Sequence, residues 1–384
     1  MSDIFLNPDQ LQLREQYREL VKDEILPHVK EIDEKDVIPR ELVKKLAEEP
    51  FRLPALSVPK EYGGLGLSVL DVCVIAEEIG FGCPALIPFM EIAQLYVHVI
   101  KIGGTEEQKQ RFLSQLAEGK IGCYALTDEG PGSDPATMAT AVEKDDQGYV
   151  MNGHKRIITF ADMADLFAIF GKVGADGGAK SITAFIIEKG TEGLTLEKHC
   201  EALGLKGHRA YNLSLENISI PEENRIGEEG AGLKLALNVL NTTRISLSCG
   251  YVGLARAALE AAISFAKQRK VAGKPIGDNQ GVSFPIAEVA TEIDAARLLA
   301  YRAAMMEDAG LPHRKETSMG KFYAGNTLIK AVDMANRVLG GYGSDVDFPV
   351  ERYLRDAYTW IAAQGTNEVQ KLVVSRELLK DQQE

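Results

Sequence analysis

This 384-residue chain has no excess of cationic residues, and its cysteines do not have the spacing of a metal site or a disulfide framework. It carries 43 Lys and Arg against 56 Asp and Glu, which gives a net charge of −13. Nucleic acid is therefore not expected as a main partner, because phosphate neutralisation needs clustered cations. The five cysteines form no CxxC pair, which indicates thiols in a reducing compartment rather than a disulfide framework or a metal site.

Long apolar segments are also scarce. The first residues, MSDIFLNPDQLQLREQ, are acidic and polar and show no apolar core of a signal peptide. No apolar run approaches the roughly 18 residues that span a bilayer. We therefore predict a soluble, cytoplasmic protein without membrane insertion.

Three segments of different character follow one another along the chain. Residues 1–121 show helical spacing of apolar residues, residues 122–229 show short β-rich runs between turn residues, and residues 230–384 return to long helical patterns. Blocks of one type, rather than strict alternation, argue against a Rossmann-type sheet. The order predicts an α+β multi-domain fold with an N-terminal helical domain, a central antiparallel β-domain and a C-terminal helical bundle.

Six local motifs, spread over almost the whole chain, are more specific than this block order. Each one alone could be an ordinary Gly-rich turn or strand, but all six resemble acyl-CoA dehydrogenases in the order of that family. The motifs are VPKEYGGLG at 58–66, YALTDEGPGSD at 124–134, MNGHKRIIT at 151–159, QRKVAGKPIGDNQG at 268–281, VLGGYGSDVDFPVERYLRDA at 338–357 and QGTNEVQKLVVSREL at 364–378.

The resemblance implies the acyl-CoA dehydrogenase fold, in which the central domain is β-barrel-like and the C-terminal domain is a four-helix bundle. It implies FAD bound between these two domains, an acyl-CoA substrate and an electron-transferring flavoprotein as redox partner. Because the family's FAD site uses two chains, it further implies a homotetramer built as a dimer of dimers.

The same resemblance assigns residues to the flavin, to the rest of FAD and to CoA. Thr159 matches a threonine whose donor groups stabilise charge at the flavin N5 edge, whereas Ile157 stands where an aromatic residue is usual. Arg269 matches an arginine that reaches the pyrophosphate, and Arg337 replaces a common Gln. The implied cofactor-binding residues are Tyr124, Leu126, Thr127, Gly132, Ser133, Ile157, Thr159, Arg269, Gln280, Arg337, Gly341, Thr366 and Glu368. The implied substrate-binding residues are Ser133, Asn241, Arg244 and Gly365.

The usual catalytic base of the family is missing. The last motif normally begins with Glu, whose carboxylate removes the α-proton of the thioester, but here it begins with Gln364. An amide has no useful basicity near neutral pH. Some members carry the Glu on an earlier helix directly before an arginine, and that position is Thr243, before Arg244. Gln364 could be an engineered trap, the mark of a non-catalytic relative, or a sign that the base lies elsewhere.

Glu91, in LIPFMEIAQLYVHVI, is the candidate for a relocated base, because the resemblance places its helix at the floor of the acyl pocket. Its helical neighbours Ile87, Met90 and Leu95 are apolar, and such surroundings raise a carboxyl pKa. The alternative is an acidic residue that merely favours a helix N-terminus one turn after Pro88.

A deeper base would meet a carbon farther from the thioester. The chain resembles a subgroup, the cyclohex-1-ene-1-carboxyl-CoA dehydrogenases, which lacks the usual Glu and uses an acid from this part of the pocket. The resemblance implies 1,4-elimination to cyclohexa-1,5-diene-1-carboxyl-CoA. That subgroup's acid is an aspartate, however, and Glu91 is one methylene longer. An ordinary α,β-dehydrogenase with an inactivating Gln, and an acyl-CoA-binding flavoprotein without turnover, remain as alternatives.

Overall fold

The N-terminal part of the chain is helical, as the apolar spacing predicts. The structure, a computed structural model, describes residues 4–130, 132–174 and 178–380. Asn7, Ser68 and Thr105 each cap a helix through a capping box, which satisfies backbone donors that the first helical turn leaves open. The helices are α1 (Pro8–Leu20), α2 (Val29–Lys35), α3 (Arg40–Ala47), α4 (Val69–Gly82), α5 (Ile87–Gly103) and α6 (Glu106–Ala117).

Helix α5 corrects one expectation. The segment Pro84–Gly103 is long and apolar enough to cross a bilayer, with a mean hydropathy of 1.4, so the prediction that no run reaches this length is wrong. Of the window that meets the test, 83% is buried inside the protein, which is the usual state of a core helix. Helix α5 packs against α7 and strand β1, so its apolar surface is covered by the chain itself.

One eight-stranded sheet forms the middle of the molecule, with the strand order β6-β7-β3-β2-β4-β5-β8 and β1 paired to β4. Most pairings are antiparallel, as predicted, but β1–β4 and β2–β4 are parallel, so the sheet is mixed. Among the described residues the path is open, because its end strands β6 and β8 do not pair with each other. The strands are β1 (Gly122–Ala125), β2 (Ala141–Asp145), β3 (Gly148–Thr159), β4 (Leu166–Val173), β5 (Ile182–Glu188), β6 (Leu194–Cys200), β7 (Ala210–Ile220) and β8 (Arg225–Ile226).

Long helices build the C-terminal part, and a small hairpin joins the first two of them. The longest helix has 37 residues, and it packs against α4, α5, α8 and α9, so it connects the two helical regions. The elements are α7 (Gly232–Gln268), β9 (Lys270–Val271), β10 (Lys274–Pro275), α8 (Gln280–Asp308), α9 (Arg314–Leu339), α10 (Val350–Trp360) and α11 (Asn367–Leu378). The proposed domain limits, 121/122 and 229/230, fall between α6 and β1 and between β8 and α7.

Candidate active site

Glu91 lies inside the protein on the face of α5 that meets α7. Only 3% of the residue is exposed, and Ile87, Met90 and Leu95 around it are buried as well. It is the fifth residue of a helix whose first turn contains no acid. A role as a mere helix N-terminal acid is therefore excluded by its position, since that effect is confined to the first turn.

Gln364 belongs to a tight turn between α10 and α11. Its φ of 53° and the φ of 98° at Gly365 are both left-handed, a conformation that disfavours a non-glycine residue. The buried Lys321 ammonium donates to the carbonyl oxygens of Ile361 and Gly365, each at 2.8 Å. Arg244 donates from Nε to the Gln364 carbonyl oxygen at 2.7 Å. These cations fix the turn and direct the Gln364 side chain inward.

The Gln364 side chain meets Glu91. Its Nε2 donates to Glu91 Oε2 at 3.2 Å, and its Oε1 accepts from the Thr243 hydroxyl at 3.0 Å. The Ser246 hydroxyl donates to Glu91 Oε1 at 2.8 Å. Positions 243 and 364, where the resemblance places the usual base, therefore adjoin one cluster whose carboxylate is Glu91.

Burial raises the Glu91 pKa from 4.5 to about 8, and the hydrogen bonds from Ser246 and Gln364 offset part of that rise. The nearby cations are bound to carbonyl oxygens rather than to this carboxylate. Burial lowers the pKa of Arg244 to about 10, and burial together with Arg244 lowers that of Lys321 to about 7. A carboxylate with a pKa near neutrality is suited to general-base chemistry, because it can take and return a proton.

Five residues assigned to the flavin lie close together in the central sheet. Thr159 ends β3, and its carbonyl oxygen is 3.2 Å from the Cys123 thiol beside Tyr124 on β1. The Thr127 carbonyl oxygen accepts a hydrogen bond from the backbone N–H of Arg156, and the neighbouring Leu126 is buried. Ile157, on the bulge that follows, has a φ of 56° and is 59% exposed.

The Gly132–Ser133 segment is an exposed turn between β1 and β2. The φ of Gly132 is not left-handed, and an added Cβ would meet only Thr127, at 3.9 Å. Pro131, within the same motif, lies outside the described residues.

The residues assigned to the pyrophosphate and adenine lie at the other end of the C-terminal helices. Arg269 follows α7 and stands 5.7 Å over the ring of Tyr342, next to the exposed Gly341. Gln280 begins α8, and Arg337, 80% exposed, lies in the last turn of α9. Some 25 residues of helix separate Arg244 from Arg269, which is roughly 37 Å at 1.5 Å per residue. One chain therefore does not bring both groups together.

The remaining predicted residues lie nearer to Gln364. Thr366 caps α11 by accepting from the Val369 N–H, and the exposed Glu368 pairs with Lys371 in the same first turn. Asn241 directs Nδ2 towards the ring of His313, whereas its Oδ1 is buried without a partner among the described residues.

These residues fit FAD and a thioester ligand chemically. The exposed guanidinium groups of Arg269 and Arg337 suit phosphate, and the buried Tyr124 hydroxyl is unpartnered within the described ranges. Two residues of the site, Ser246 and Lys321, were missed from the sequence. Ser246 could have been found, since it follows Thr243 by three positions and so shares its helix face.

Comparison with known proteins agrees with this architecture. The acyl-CoA dehydrogenase N-terminal, middle and C-terminal domain families match residues 7–120, 123–218 and 230–379. An acyl-CoA dehydrogenase of Bacillus subtilis is 38% identical over 373 residues, 97% of this chain and 98% of that protein. A short-chain-specific acyl-CoA dehydrogenase of Clostridium acetobutylicum is 36% identical over 380 residues, 98% of this chain and all of that protein.

Solved structures show the same likeness. Butyryl-CoA dehydrogenase of Megasphaera elsdenii superimposes with a TM-score of 0.95 at 32% identity, over 98% of this chain and 100% of that one. A chain in the structure of the electron transferring flavoprotein of Acidaminococcus fermentans has a TM-score of 0.94 at 34% identity, over 99% and 100% of the two chains.

Fold and site together define an FAD-dependent oxidoreductase that acts on acyl-CoA. The chain belongs to the acyl-CoA dehydrogenase family. The predicted fold, enzyme class and cofactor are thus confirmed.

Proposed function

We propose that this enzyme dehydrogenates a cyclic enoyl-CoA, converting cyclohex-1-ene-1-carboxyl-CoA into cyclohexa-1,5-diene-1-carboxyl-CoA, with Glu91 as the base. One observation carries the proposal. The amide of Gln364, which replaces the usual carboxylate, lies within hydrogen-bond distance of another buried carboxylate, 3.2 Å from Glu91 Oε2. The site therefore retains a proton acceptor, 3.2 Å from the amide that stands in place of the usual carboxylate.

A base at the position of Glu91 is suited to removing a proton other than the α-proton of the thioester. In a 1-ene-1-carboxyl thioester the α-carbon is already sp² and carries no removable proton. The γ-carbon is acidic, because the alkene conjugates its carbanion with the thioester carbonyl. Glu91 takes the γ-proton, and the C–H electron pair forms a double bond between the γ-carbon and its neighbouring β-carbon. The pair of the original alkene moves to the bond between the α-carbon and the other ring β-carbon, from which a hydride equivalent leaves. Bound FAD supplies the two-electron acceptor.

The chain's other residues bind and orient these groups. We assign Tyr124, Leu126, Thr127, Ile157 and Thr159 to the flavin face, and Thr366 and Glu368 to the adjoining start of α11. Gly132 and Ser133 lie at the mouth of this region, with Ser133 towards phosphate. Asn241, Arg244 and Gly365 are assigned to the thioester side, where the unpartnered Asn241 Oδ1 can accept from an amide of the CoA arm.

The adenylate half of FAD requires a second chain in this proposal. Arg269 lies roughly 37 Å along α7 from Arg244, and Gln280, Arg337 and Gly341 belong to neighbouring elements of the C-terminal part. We therefore infer that they complete the site of a partner subunit, in a homotetramer arranged as a dimer of dimers. An electron-transferring flavoprotein is the inferred redox partner, and a cytoplasmic location stays a prediction.

The Clostridium relative favours a second candidate, because its name specifies a short-chain substrate. In that case the enzyme would carry out ordinary α,β-dehydrogenation, and Gln364 would be an inactivating replacement. Gln364→Glu would then produce strong activity on saturated thioesters such as butyryl-CoA.

Anaerobic bleaching of the flavin tests both candidates. The enzyme, Glu91→Gln and Gln364→Glu are each mixed with cyclohex-1-ene-1-carboxyl-CoA, cyclohexanecarboxyl-CoA, butyryl-CoA and isovaleryl-CoA. We expect the cyclic enoyl thioester to bleach the unchanged enzyme, and Glu91→Gln to lose about 10²–10⁴-fold in rate, the usual contribution of a general base.

Three outcomes separate the candidates. Bleaching that survives in Glu91→Gln contradicts the assignment of the base. Bleaching by butyryl-CoA that appears only in Gln364→Glu supports the α,β-dehydrogenase. If no thioester bleaches any variant, although each still binds FAD, a binding protein without turnover is favoured.

A further inference from the structure

Ser246 has one hydroxyl proton and two acceptors within reach. Its Oγ is 2.8 Å from Glu91 Oε1 and 3.0 Å from the carbonyl oxygen of Thr243, one turn back along α7. A serine hydroxyl donates a single hydrogen bond but can accept others. Ser246 can therefore donate to Glu91 or to the helix carbonyl, but not to both at once.

The other oxygen of Glu91 has a partner of a different kind. Gln364 directs Nε2 towards Oε2, and its Oε1 lies 3.0 Å from the Thr243 hydroxyl, which is also 3.2 Å from the carbonyl oxygen of Val239. The NH₂ group can donate but cannot accept. A proton on Oε2 would face this donor, whereas a proton on Oε1 would face an oxygen that can accept it.

These contacts define two complete arrangements. When Glu91 is ionised, Ser246 donates to Oε1 and Gln364 donates to Oε2. When Glu91 is protonated on Oε1, the carboxyl group donates to Ser246 Oγ, whose own proton turns to the Thr243 carbonyl. A rotation of one hydroxyl connects the two states, and no buried polar atom loses its partner.

We propose that Ser246 is a positioning residue that keeps Glu91 hydrogen-bonded in both protonation states, so that the proton taken from the substrate is held on Oε1. The inference rests on the proposed role of Glu91 as base. It specifies the oxygen of Glu91 that carries the proton. It also explains why the Glu91 side chain stays in place after the proton transfer, since its hydrogen bond to Ser246 persists.

None of the other titratable groups described around Glu91 is a carboxyl group, so the carboxyl signal of this cluster comes from Glu91. Tyr251, on α7, and Cys73, on α4, are buried, and burial raises both of their pKa values, so both stay neutral. Arg244 and Lys321 face the carbonyl oxygens of the 361–365 turn. Lys321 titrates in the same range, but its ammonium gives no carboxyl signal.

Ser246→Ala tests the proposal in the FAD-loaded enzyme, with Ser248→Ala as matched control. Ser248 is also buried on α7 and donates to a helix carbonyl, that of Arg244 at 2.6 Å, but has no bond to Glu91. Infrared spectra across pH, without substrate, follow the protonated carboxyl band that Glu91→Gln removes. The midpoint in Ser246→Ala should rise by about one pH unit, because the hydrogen bond that ionised Glu91 loses is charge-assisted and stronger than the one that protonated Glu91 loses. Ser248→Ala should titrate like the unchanged enzyme.

The rate of flavin bleaching gives a second readout. In Ser246→Ala it should fall about tenfold near pH 7 and recover at alkaline pH, with little change in the thioester concentration for half-saturation. An unmoved infrared midpoint, or a loss of rate that is equal at every pH, would overturn the role of Ser246. Bleaching that persists in Glu91→Gln would instead overturn the proposed function, so the two failures are distinguishable.

Discussion

Two neighbouring helices each bury a carboxylate, and the two carboxylates are held in opposite ways. Glu77, on α4, is 4% exposed, and Glu91, on α5, is 3% exposed. Glu77 binds Arg256 at 2.8 Å and Arg297 at 2.9 Å, and the adjacent Glu78 shares Arg256. Glu91 has a hydroxyl and an amide as its hydrogen-bond partners.

The charges of the partners decide what each carboxylate can do. Burial alone would raise the Glu77 pKa, but the charges of Arg297 and Arg256 outweigh it and hold that pKa below the usual value. Burial dominates at Glu91, where the pKa is about 8. Equal burial therefore gives a permanent anion that connects three helices, α4, α7 and α8, in one place and a proton acceptor in the other.

The largest expected effect comes from breaking the charged cluster. Arg297→Met should lower the free energy of unfolding by about 3–5 kcal/mol, because it leaves the buried Glu77 carboxylate short of a counter-charge. Urea unfolding of the FAD-loaded enzyme measures this loss. The bleaching rate at 25 °C should change less than about twofold. A stability equal to that of the unchanged enzyme would show that Arg256 alone compensates Glu77.

Removing the charge from each carboxylate should shift stability in opposite directions. In the unfolded chain Glu91 ionises near pH 4.5, but in the folded protein it holds its proton to about pH 8, so its contribution to stability falls as pH rises between these values. Glu91→Gln should therefore be more stable than the unchanged enzyme by roughly 2–4 kcal/mol at pH 9 and nearly equal to it at pH 5.

Glu77→Gln should change the free energy of unfolding in the opposite direction. Because the pKa of Glu77 is lowered in the folded protein, its carboxylate stabilises the fold at pH values above the unfolded pKa near 4.5. This contribution is lost as the pH falls below that pKa. The variant should be less stable than the unchanged enzyme at both pH 5 and pH 9. Urea midpoints of both variants that move in the same direction at pH 9 would contradict the comparison.

The smallest effect is the pH dependence of the unchanged enzyme. Glu91 accepts a proton only when ionised, so the bleaching rate should rise about tenfold per pH unit below pH 8 and level off above it. Stopped-flow bleaching with cyclohex-1-ene-1-carboxyl-CoA between pH 6 and pH 9.5 measures the profile. A flat profile would mean that the group taking the proton has an ordinary carboxyl pKa.

Local sequence signals predicted the fold well. The helical spacing of residues 1–121, the apolar stretch around Glu91 and the β-rich runs of residues 122–229 all depend on neighbours within a few positions, and the structure contains each of them. The apolar residues around Glu91 also indicated its shifted pKa correctly, because burial is its main cause.

The partners of Glu91 could not be predicted in this way. Ser246 and Gln364 lie 155 and 273 positions away in the sequence, and they meet Glu91 only because α5, α7 and the 361–365 turn pack together. Periodicity shows which face of α7 is buried, but it does not show which residue of α5 lies opposite. The arginine cluster at Glu77 was missed for the same reason, since Arg297 is 220 positions away.

The inward-facing turn at Gln364 also has an evolutionary consequence. Glutamine and glutamate codons differ in one base, and the backbone at this position already directs the side chain towards Glu91. A single nucleotide change would therefore place a second carboxyl group beside Glu91 without any refolding. Two carboxylates about 3 Å apart cannot both ionise, however, so one would stay protonated. The pair would thus share one proton, and one carboxylate of the two would remain ionised.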